Sequence, residues 1–361
     1  MIVPVKGAET NLLETLKQIR DQGNVPLVGD ARWTAKHWSA VIAAATAAKL
    51  PERTAWATLT SGSSGNPRIV LRSEASWADS FDAVKEYLGI GAEGSVALPA
   101  PPASSLTLFS LAHALNGGPQ PQIRVTPETD ALHGTPQALR AVLDAGVHPN
   151  LRAALIGGSY LEPELRQRAE AAGIRLSAYY GAAELSFVAV DEGDGLRTFP
   201  GVDIQLRDSE LWVRSPYIAT GYAGSPGPLR RDGQWATVGD RAELIDGRLR
   251  LLGRADEAIL SASATIVPEE VEAVLRAIPG VRDALVFGLP SGPIGAMVSA
   301  LLELEDDTTA AVRELAGAQL APAHRPRRWF SGTIPRTASG KPARAEALRL
   351  VLAGEVQKLA S

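Results

Sequence analysis

Five short segments set chemistry-bearing side chains on glycine-containing turns. The first, Thr60-Ser61-Gly62-Ser63-Ser64-Gly65-Asn66-Pro67-Arg68, follows an apolar run. Its glycines let the backbone approach an oxyanion closely, and successive N–H groups can form an anion-binding nest. The hydroxyls add donors and Arg68 adds charge. The spacing is not that of the G-x-x-x-x-G-K-S/T phosphate loop. The second segment, Tyr179-Tyr180-Gly181-Ala182-Ala183-Glu184, closes an apolar run with an acid. The carboxyl end of a parallel strand is where open α/β sheets place ligand groups. Glu184 could hold Mg²⁺ through oxygen, with phosphates completing the shell, and a tyrosine could flank a base. In Trp235-Ala236-Thr237-Val238-Gly239-Asp240, a carboxylate after a glycine turn can accept two hydroxyl hydrogen bonds, as from a ribose. Gly253-Arg254-Ala255-Asp256-Glu257 precedes Pro268-Glu269-Glu270-Val271-Glu272 and offers Arg254 as a donor to ribose or phosphate. In Pro335-Arg336-Thr337-Ala338-Ser339-Gly340-Lys341-Pro342-Ala343-Arg344, a lysine on a glycine turn can reach phosphate and carboxylate oxygens as a point charge. Taken singly, each segment also reads as an ordinary turn: a Ser/Gly surface loop, a solvated acid, a surface ion pair of Arg254 with Asp256 or Glu257, or a basic loop before a helix.

The elements that must carry these turns follow from periodicity and punctuation. Helices are predicted over 8–22, over 31–49 with Asp30 as N-cap, and over 75–88, 105–115, 135–145 and 162–172. Strands are predicted over 54–60, 94–100, 151–158 and 174–181, an alternation that argues for an α/β layer of parallel strands. From about 196 the pattern turns to short alternating runs. Hairpins are expected around Asp208-Ser209 and at Asp246-Gly247, the latter a strong two-residue turn signal. From 256 the chain reads α+β. A helix over 268–277 opens on Pro268, strands cover 283–289 and 296–304, and helices cover 308–319 and 342–357. The expected division is a large α/β domain over 1–253, β-rich from about 196, and a small mobile α+β domain over 254–361.

Composition narrows the chemistry further. With 361 residues, 45% apolar and 21% charged, the chain is long enough for two globular domains. It contains no cysteine, which excludes disulfides, thiolate zinc sites, iron–sulfur clusters and a cysteine nucleophile. A net charge of -4 gives no overall basic footprint for nucleic acid. No apolar run reaches the roughly 18 residues a spanning helix needs. The start, MIVPVKGAETNLLETL, lacks a basic region followed by an apolar stretch, so a cytoplasmic protein that engages no membrane is expected. The five histidines (His37, His113, His133, His148 and His324) show no metal-ligand or triad spacing, and neither an H-E-x-x-H nor a G-x-S-x-G elbow occurs.

In this order and at these spacings, the five segments closely resemble the adenylate-forming superfamily of acyl-CoA synthetases, peptide-synthetase adenylation domains and luciferases. That family carries a TSG(S/T)(S/T)GxP(K/R) phosphate loop, then YGx(T/S)E, (S/T)GD, GRxD(D/E) before a PxE(I/V)E helix, and PRTxSGK. The resemblance covers roughly residues 54–350. Gly157-Gly158-Ser159 is similar to the small-residue turn beside the adenine, and Glu210-Leu211-Trp212-Val213 with Gly221-Tyr222 to the GELxV…GY stretch. The resemblance implies an enzyme that makes an acyl-adenylate from a carboxylic acid and MgATP, releases pyrophosphate, and passes the acyl group to a thiol such as CoA. It implies that residues 60–68, among them Thr60, Ser61, Gly62, Ser63, Ser64, Gly65 and Arg68, cradle the β- and γ-phosphates. Glu184 matches the Mg²⁺-linked acid, and Tyr180 with Gly181 lies beside the adenine. Asp240 and Arg254 match the ribose contacts, Asp256 the hinge, and Lys341 the lysine that bridges carboxylate and α-phosphate.

Several positions depart from the family pattern. Ala183 stands where Thr or Ser is usual, and Arg68 replaces the commoner Lys. Leu260 and Ser263 occupy positions of an IKxxG stretch whose glycine lets pantetheine pass. Residues 95–106 lack the His or aromatic of the acyl-pocket motif. Only 59 residues precede the phosphate loop, so the large domain is trimmed, as in short members that resemble o-succinylbenzoate–CoA ligases. Short members are often dimers, which extends to a homodimer here. Ser263 and Leu260 also leave open a carrier-protein pantetheine or an amine as acceptor. Ala183 leaves open a non-catalytic nucleotide-binding protein.

Overall fold

A computed structural model describes residues 1–9, 11–60, 68–146, 149–224, 226–254, 259–261, 264–266, 268–291, 296–305, 309–337 and 342–359. Two α/β sheets make up the first half. In one, strands Ile2–Lys6, Val25–Gly29 and Thr54–Leu59 run parallel, and Ile69–Ser73 and Gly221–Ala223 extend the sheet antiparallel. The other has seven strands. Gln120–Gln122, Ser95–Ala97, Ala131–Gly134, Ala153–Gly157 and Arg175–Ala182 are parallel, and Ser186–Asp191 and Arg197–Thr198 continue antiparallel. Strand Ala153–Gly157 is buried throughout, as a strand with helices on both faces must be. Trp56, Trp77, Phe109, Phe187 and Phe199 fill the core in which these layers meet.

Residues 203–214 and 230–254 form a separate antiparallel sheet. Two of its tight hairpins fall where the sequence marks them. Asp208 and Ser209 have φ of 50° and 64°, and Asp246 and Gly247 have φ of 51° and 74°. Two consecutive left-handed residues match the right-handed twist of the flanking strands. From 259 the chain is α+β. A four-stranded sheet (Val281–Pro290, Ala296–Leu304, Arg328–Ser331 and Gln357–Lys358) packs with helices Pro268–Arg276, Thr309–Gln319 and Arg344–Ala353 around its own apolar clusters. The architecture is thus α/β, then β-rich, then α+β, as expected. Among the described residues no helix is long and apolar enough to cross a membrane.

Local departures have identifiable causes. The helix expected from 31 spans Ala35–Thr46, and its cap is Thr34, which accepts a 3.2 Å bond from the His37 N–H. Asp30 instead accepts the Arg32 backbone N–H and both arms of its guanidinium at 2.7–2.9 Å, leaving it no helical donor to cap. The helix expected over 75–88 is two pieces, Ala75–Ala78 and Phe81–Leu88. At the break Ser80 is buried and donates back to the Trp77 carbonyl at 2.7 Å. The last helix stops at Ala353 because Gly354 turns left-handed, φ 72°.

Candidate active site

The parallel strands of the seven-stranded sheet end along one edge, at Ala97, Gly134, Gly157 and Ala182. Six of the sequence-marked residues lie there: Gly157, Gly158, Ser159, Tyr180, Gly181 and Glu184. Gly157 is the register partner of Tyr179 on the neighbouring strand. A Cβ on Gly157 would sit 2.2 Å from Cζ of the Tyr179 ring, so only glycine fits beneath it. Gly158 follows with φ 92°, turning the chain into Ser159. Gly181 has a different reason. Its hairpin partner comes so close that a Cβ would lie 2.1 Å from the Ser186 carbonyl oxygen. That tight return projects Ala182-Ala183-Glu184 from the end of the sheet.

Tyr180 and Asp240, on different sheets, meet directly, the tyrosine O–H donating to the Asp240 carboxylate. Asp240 in turn is the register partner of Arg254 across an antiparallel pair. Gly239, φ 86°, makes the turn into that strand, and its N–H is held by Thr237 Oγ1 at 3.0 Å. An aromatic ring, a carboxylate and the backbone position of an arginine thus converge, although 60 residues separate the first two in sequence.

Glu184 is buried, 5% exposed, and is anchored at both ends. The Tyr222 hydroxyl donates to Oε1 at 2.8 Å, and the Ala219 N–H donates to its backbone carbonyl at 2.7 Å. Burial, then the Glu184 charge, hold the Tyr222 phenol well above its usual range, so it stays a donor at neutral pH. Arg68 lies near enough to oppose that rise through its charge. Behind the acid is Arg72, fully buried. Its guanidinium donates to the Ala183 carbonyl from Nε and Nη2 (3.1 and 2.8 Å), to the Tyr217 carbonyl at 2.7 Å, and to Ser76 Oγ at 3.1 Å. Burial lowers Arg72 to about 9 while the Glu184 charge opposes the fall, so it remains a cation at pH 7. Sequence reasoning missed Arg72. The available signal was one charged residue in the otherwise apolar run Ile69-Val70-Leu71-Arg72.

The described ends of the first segment are tied to each other. The Thr60 N–H donates to the Arg68 carbonyl at 3.0 Å, and the Arg68 N–H reaches Thr60 Oγ1 at 3.4 Å. Ser61, Gly62, Ser63, Ser64 and Gly65 lie outside the described residues, as do Asp256, Ser263 and Lys341. The segments flanking Lys341 are held by carboxylates on two other elements. Arg336 pairs with Asp283, and Arg344 donates to Glu269 at 2.6 Å and to Glu272 at 2.9 Å. The Ala343 N–H donates to the Pro335 carbonyl at 2.8 Å.

Among the described residues no group of three or more His, Cys, Asp or Glu could cage a metal. A single carboxylate with one oxygen engaged by Tyr222 fits Mg²⁺ only if phosphates and water supply the remaining oxygens, which is the usual mode for that ion. Two surface hollows lie elsewhere. One, about 510 Å³, is lined by Tyr87, Arg197 and Phe199, and the other, about 500 Å³, by Asp130, Arg152 and Arg175 near the opposite ends of the parallel strands. The strand ends carry the convergent polar groups, and that edge is the candidate site.

Comparison with known proteins points the same way. The chain is 32% identical to the 2-succinylbenzoate–CoA ligase of Salmonella typhimurium over 273 residues, 70% of this chain and 59% of that protein. To the 2-succinylbenzoate–CoA ligase of Escherichia coli it is 29% identical, covering 84% of this chain and 69% of the other. A probable 2-succinylbenzoate–CoA ligase of Mycobacterium tuberculosis is 28% identical and aligns over 99% of both chains. Among solved structures, Bacillus subtilis MenE in complex with the acyl-adenylate OSB-AMP superposes with a TM-score of 0.84 at 18% identity, covering 96% of this chain and 87% of the other. A variant of E. coli MenE with bound OSB-AMS gives a TM-score of 0.82 at 23% identity, covering 97% and 87%. These identities speak to the fold. The AMP-binding enzyme C-terminal domain model matches residues 270–341. With the AMP-binding enzyme model matching residues 2–223, more than half its length, the chain belongs to the AMP-binding enzyme family.

Proposed function

We propose that this chain is an ATP-dependent acid–thiol ligase that joins a carboxylic acid to AMP and then transfers the acyl group to CoA, with o-succinylbenzoate as the acid. The observation that carries the reading is the contact of Tyr180, at the carboxyl end of a parallel strand, with Asp240, with Arg254 in register with Asp240 and the buried Glu184 following the same strand as Tyr180. The relatives named as 2-succinylbenzoate–CoA ligases support the choice of acid, above all the one that aligns from end to end.

In this reading Tyr180 lies against the base, and Asp240 and Arg254 take the ribose. The turn Gly157-Gly158-Ser159 leaves room for the nucleotide. Residues 60–68 take the β- and γ-phosphates through N–H groups and hydroxyls, with Arg68 adding charge. Glu184 holds Mg²⁺, which when bound offsets negative charge on the phosphates. A carboxylate is a poor electrophile until its oxygen carries AMP. Forming that bond brings two anions together, and Lys341 stabilises the charge that develops between them. The acid's oxygen bonds to the α-phosphorus and the bond to pyrophosphate breaks. In the second step the CoA sulfur bonds to the acyl carbon and AMP leaves. We place the domain division at 253/254. Rotation about Asp256 first brings Lys341 to the α-phosphate and then withdraws it.

Incubating the protein with ATP, Mg²⁺, CoA and o-succinylbenzoate, beside a panel of aliphatic and aromatic acids, tests this by mass spectrometry. The expected product is o-succinylbenzoyl-CoA. Thioester from a different acid alone would correct the substrate. Acyl-AMP that CoA does not discharge would move the acceptor to a carrier protein or an amine. ATP binding with no acid-dependent product would remove the catalytic reading.

A further inference from the structure

Arg72 invites explanation because nothing about strand formation calls for it. Its side chain is 0% exposed, and burying a guanidinium is costly unless its donors and its charge are both matched. The donors are matched by neutral oxygens from three separate places: the Ala183 carbonyl, the Tyr217 carbonyl, and Ser76 through its carbonyl at 3.3 Å and its hydroxyl at 3.1 Å. The charge is matched without contact. Glu184 is the carboxylate whose field acts on Arg72. The same neighbourhood is tied twice more, by the Thr220 N–H and hydroxyl to the Leu71 carbonyl at 2.8 and 2.9 Å, and by the Ala219 N–H to the Glu184 carbonyl. The residue before the acid is alanine, which offers the turn no side-chain hydrogen bond.

We propose that Arg72 is a positioning residue for Glu184: its forked grip on the Ala183 carbonyl and its charge behind the turn set the acid where a divalent cation on the nucleotide phosphates can use it. This rests on Glu184 being the metal-linked acid of the proposed reaction. A planar fork grips one carbonyl from two nitrogens, which an ammonium cannot copy. Arg72→Lys therefore loses the geometry.

The test is calorimetric titration of ATP at a series of Mg²⁺ concentrations, with no acid or thiol present. In Arg72→Lys the Mg²⁺ needed for half-maximal ATP binding rises about tenfold, the scale on which loss of a ligand's supporting partner weakens metal sites. ATP affinity in EDTA stays within about twofold of the parent. Glu184→Gln gives a shift of the same kind, and the double variant adds little to it, as expected of two residues acting through one contact. Arg166→Lys is the control, since Arg166 ties the Leu176 and Asp191 carbonyls elsewhere on the same hairpin. It lowers the melting temperature without moving the Mg²⁺ dependence. Should Arg72→Lys not fold, Ser76→Ala removes one acceptor of the guanidinium, keeps its charge, and gives a smaller shift in the same direction. A folded variant with unchanged Mg²⁺ dependence, or shifts in Arg72→Lys and Glu184→Gln that simply add, overturns the proposal. Because no acid enters the titration, the ligase reading can fail on the acid panel while this result stands.

Discussion

Replacing Gly157 by alanine probes the floor of the site with one methyl group. The new Cβ would meet Cζ, Cε1 and Cε2 of Tyr179 at 2.2, 2.4 and 2.7 Å, so the ring must retreat by more than an ångström to reach ordinary contact. It has little freedom to do so. Its hydroxyl lies 3.2 Å from Nε2 of the fully buried His133, whose Nδ1 lies 2.7 Å from Ser110 Oγ, and the Phe187 ring packs 4.6 Å away. Overpacking of this kind costs about 1–3 kcal/mol, and breaking the buried bond to His133 adds about 1 kcal/mol. Gly157→Ala should therefore destabilise by roughly 2–4 kcal/mol. The assay is urea unfolding followed by tryptophan fluorescence, since Trp56 and Trp77 share this core. Tyr179→Ala destabilises by itself through the cavity it leaves, but it makes room for the methyl. The double variant should be more stable than the sum of the singles by about 2 kcal/mol or more, the overpacking part of the loss. Additivity within about 0.5 kcal/mol would refute the steric reasoning.

Further expectations follow from other contacts. Asp240→Asn should weaken ATP binding by about 1–3 kcal/mol, read with a fluorescent ATP analogue, while Asp232→Asn on an exposed edge should not. Burial lowers His133 to about 3 and His113 to about 4, both below the 6.5 of an unfolded chain. As pH falls from 6.5 towards those values, only the unfolded state takes up the protons, so the fold loses stability. Each histidine removes about 2 kcal/mol by pH 5, and His133→Gln should flatten the fall in urea midpoint between pH 7 and 5. Glu272, 2% exposed, accepts from Arg344 and Arg276 and from the Val286 N–H. Glu272→Ala leaves two part-buried guanidinium groups without that partner and should destabilise residues 259–359 by about 3–5 kcal/mol, visible as an earlier thermal transition.

What was legible in the sequence was largely punctuation. Asp208-Ser209 and Asp246-Gly247 announced their hairpins because few residues tolerate a left-handed backbone. The turns at Gly157, Gly181 and Gly239 stood out for similar reasons, though the first two are glycine through packing rather than through φ. The short strands Ile2–Lys6 and Val25–Gly29 are hard to read because a five-residue, largely apolar run interrupted by proline carries no diagnostic periodicity. Asp30 misled because a carboxylate before a helix is a good cap only when no nearer cation claims it. Arg72 and the Ser110–His133–Tyr179 chain were illegible for a deeper reason. The carbonyls that hold Arg72 lie 111 and 145 residues away, and His133 meets Tyr179 across 46 residues, so their roles exist only once the sheets are assembled.

The central claim is acid-dependent adenylation driven by Lys341, and pyrophosphate release measures it most directly. The protein is given MgATP with each acid of the panel in turn, without CoA, alongside Lys341→Ala. The account predicts release with o-succinylbenzoate well above the acid-free rate, and a fall of about 100- to 1,000-fold in Lys341→Ala, the scale for removing one group that stabilises transition-state charge. Equal rates in the two proteins, or no acid that raises release above background, would contradict it.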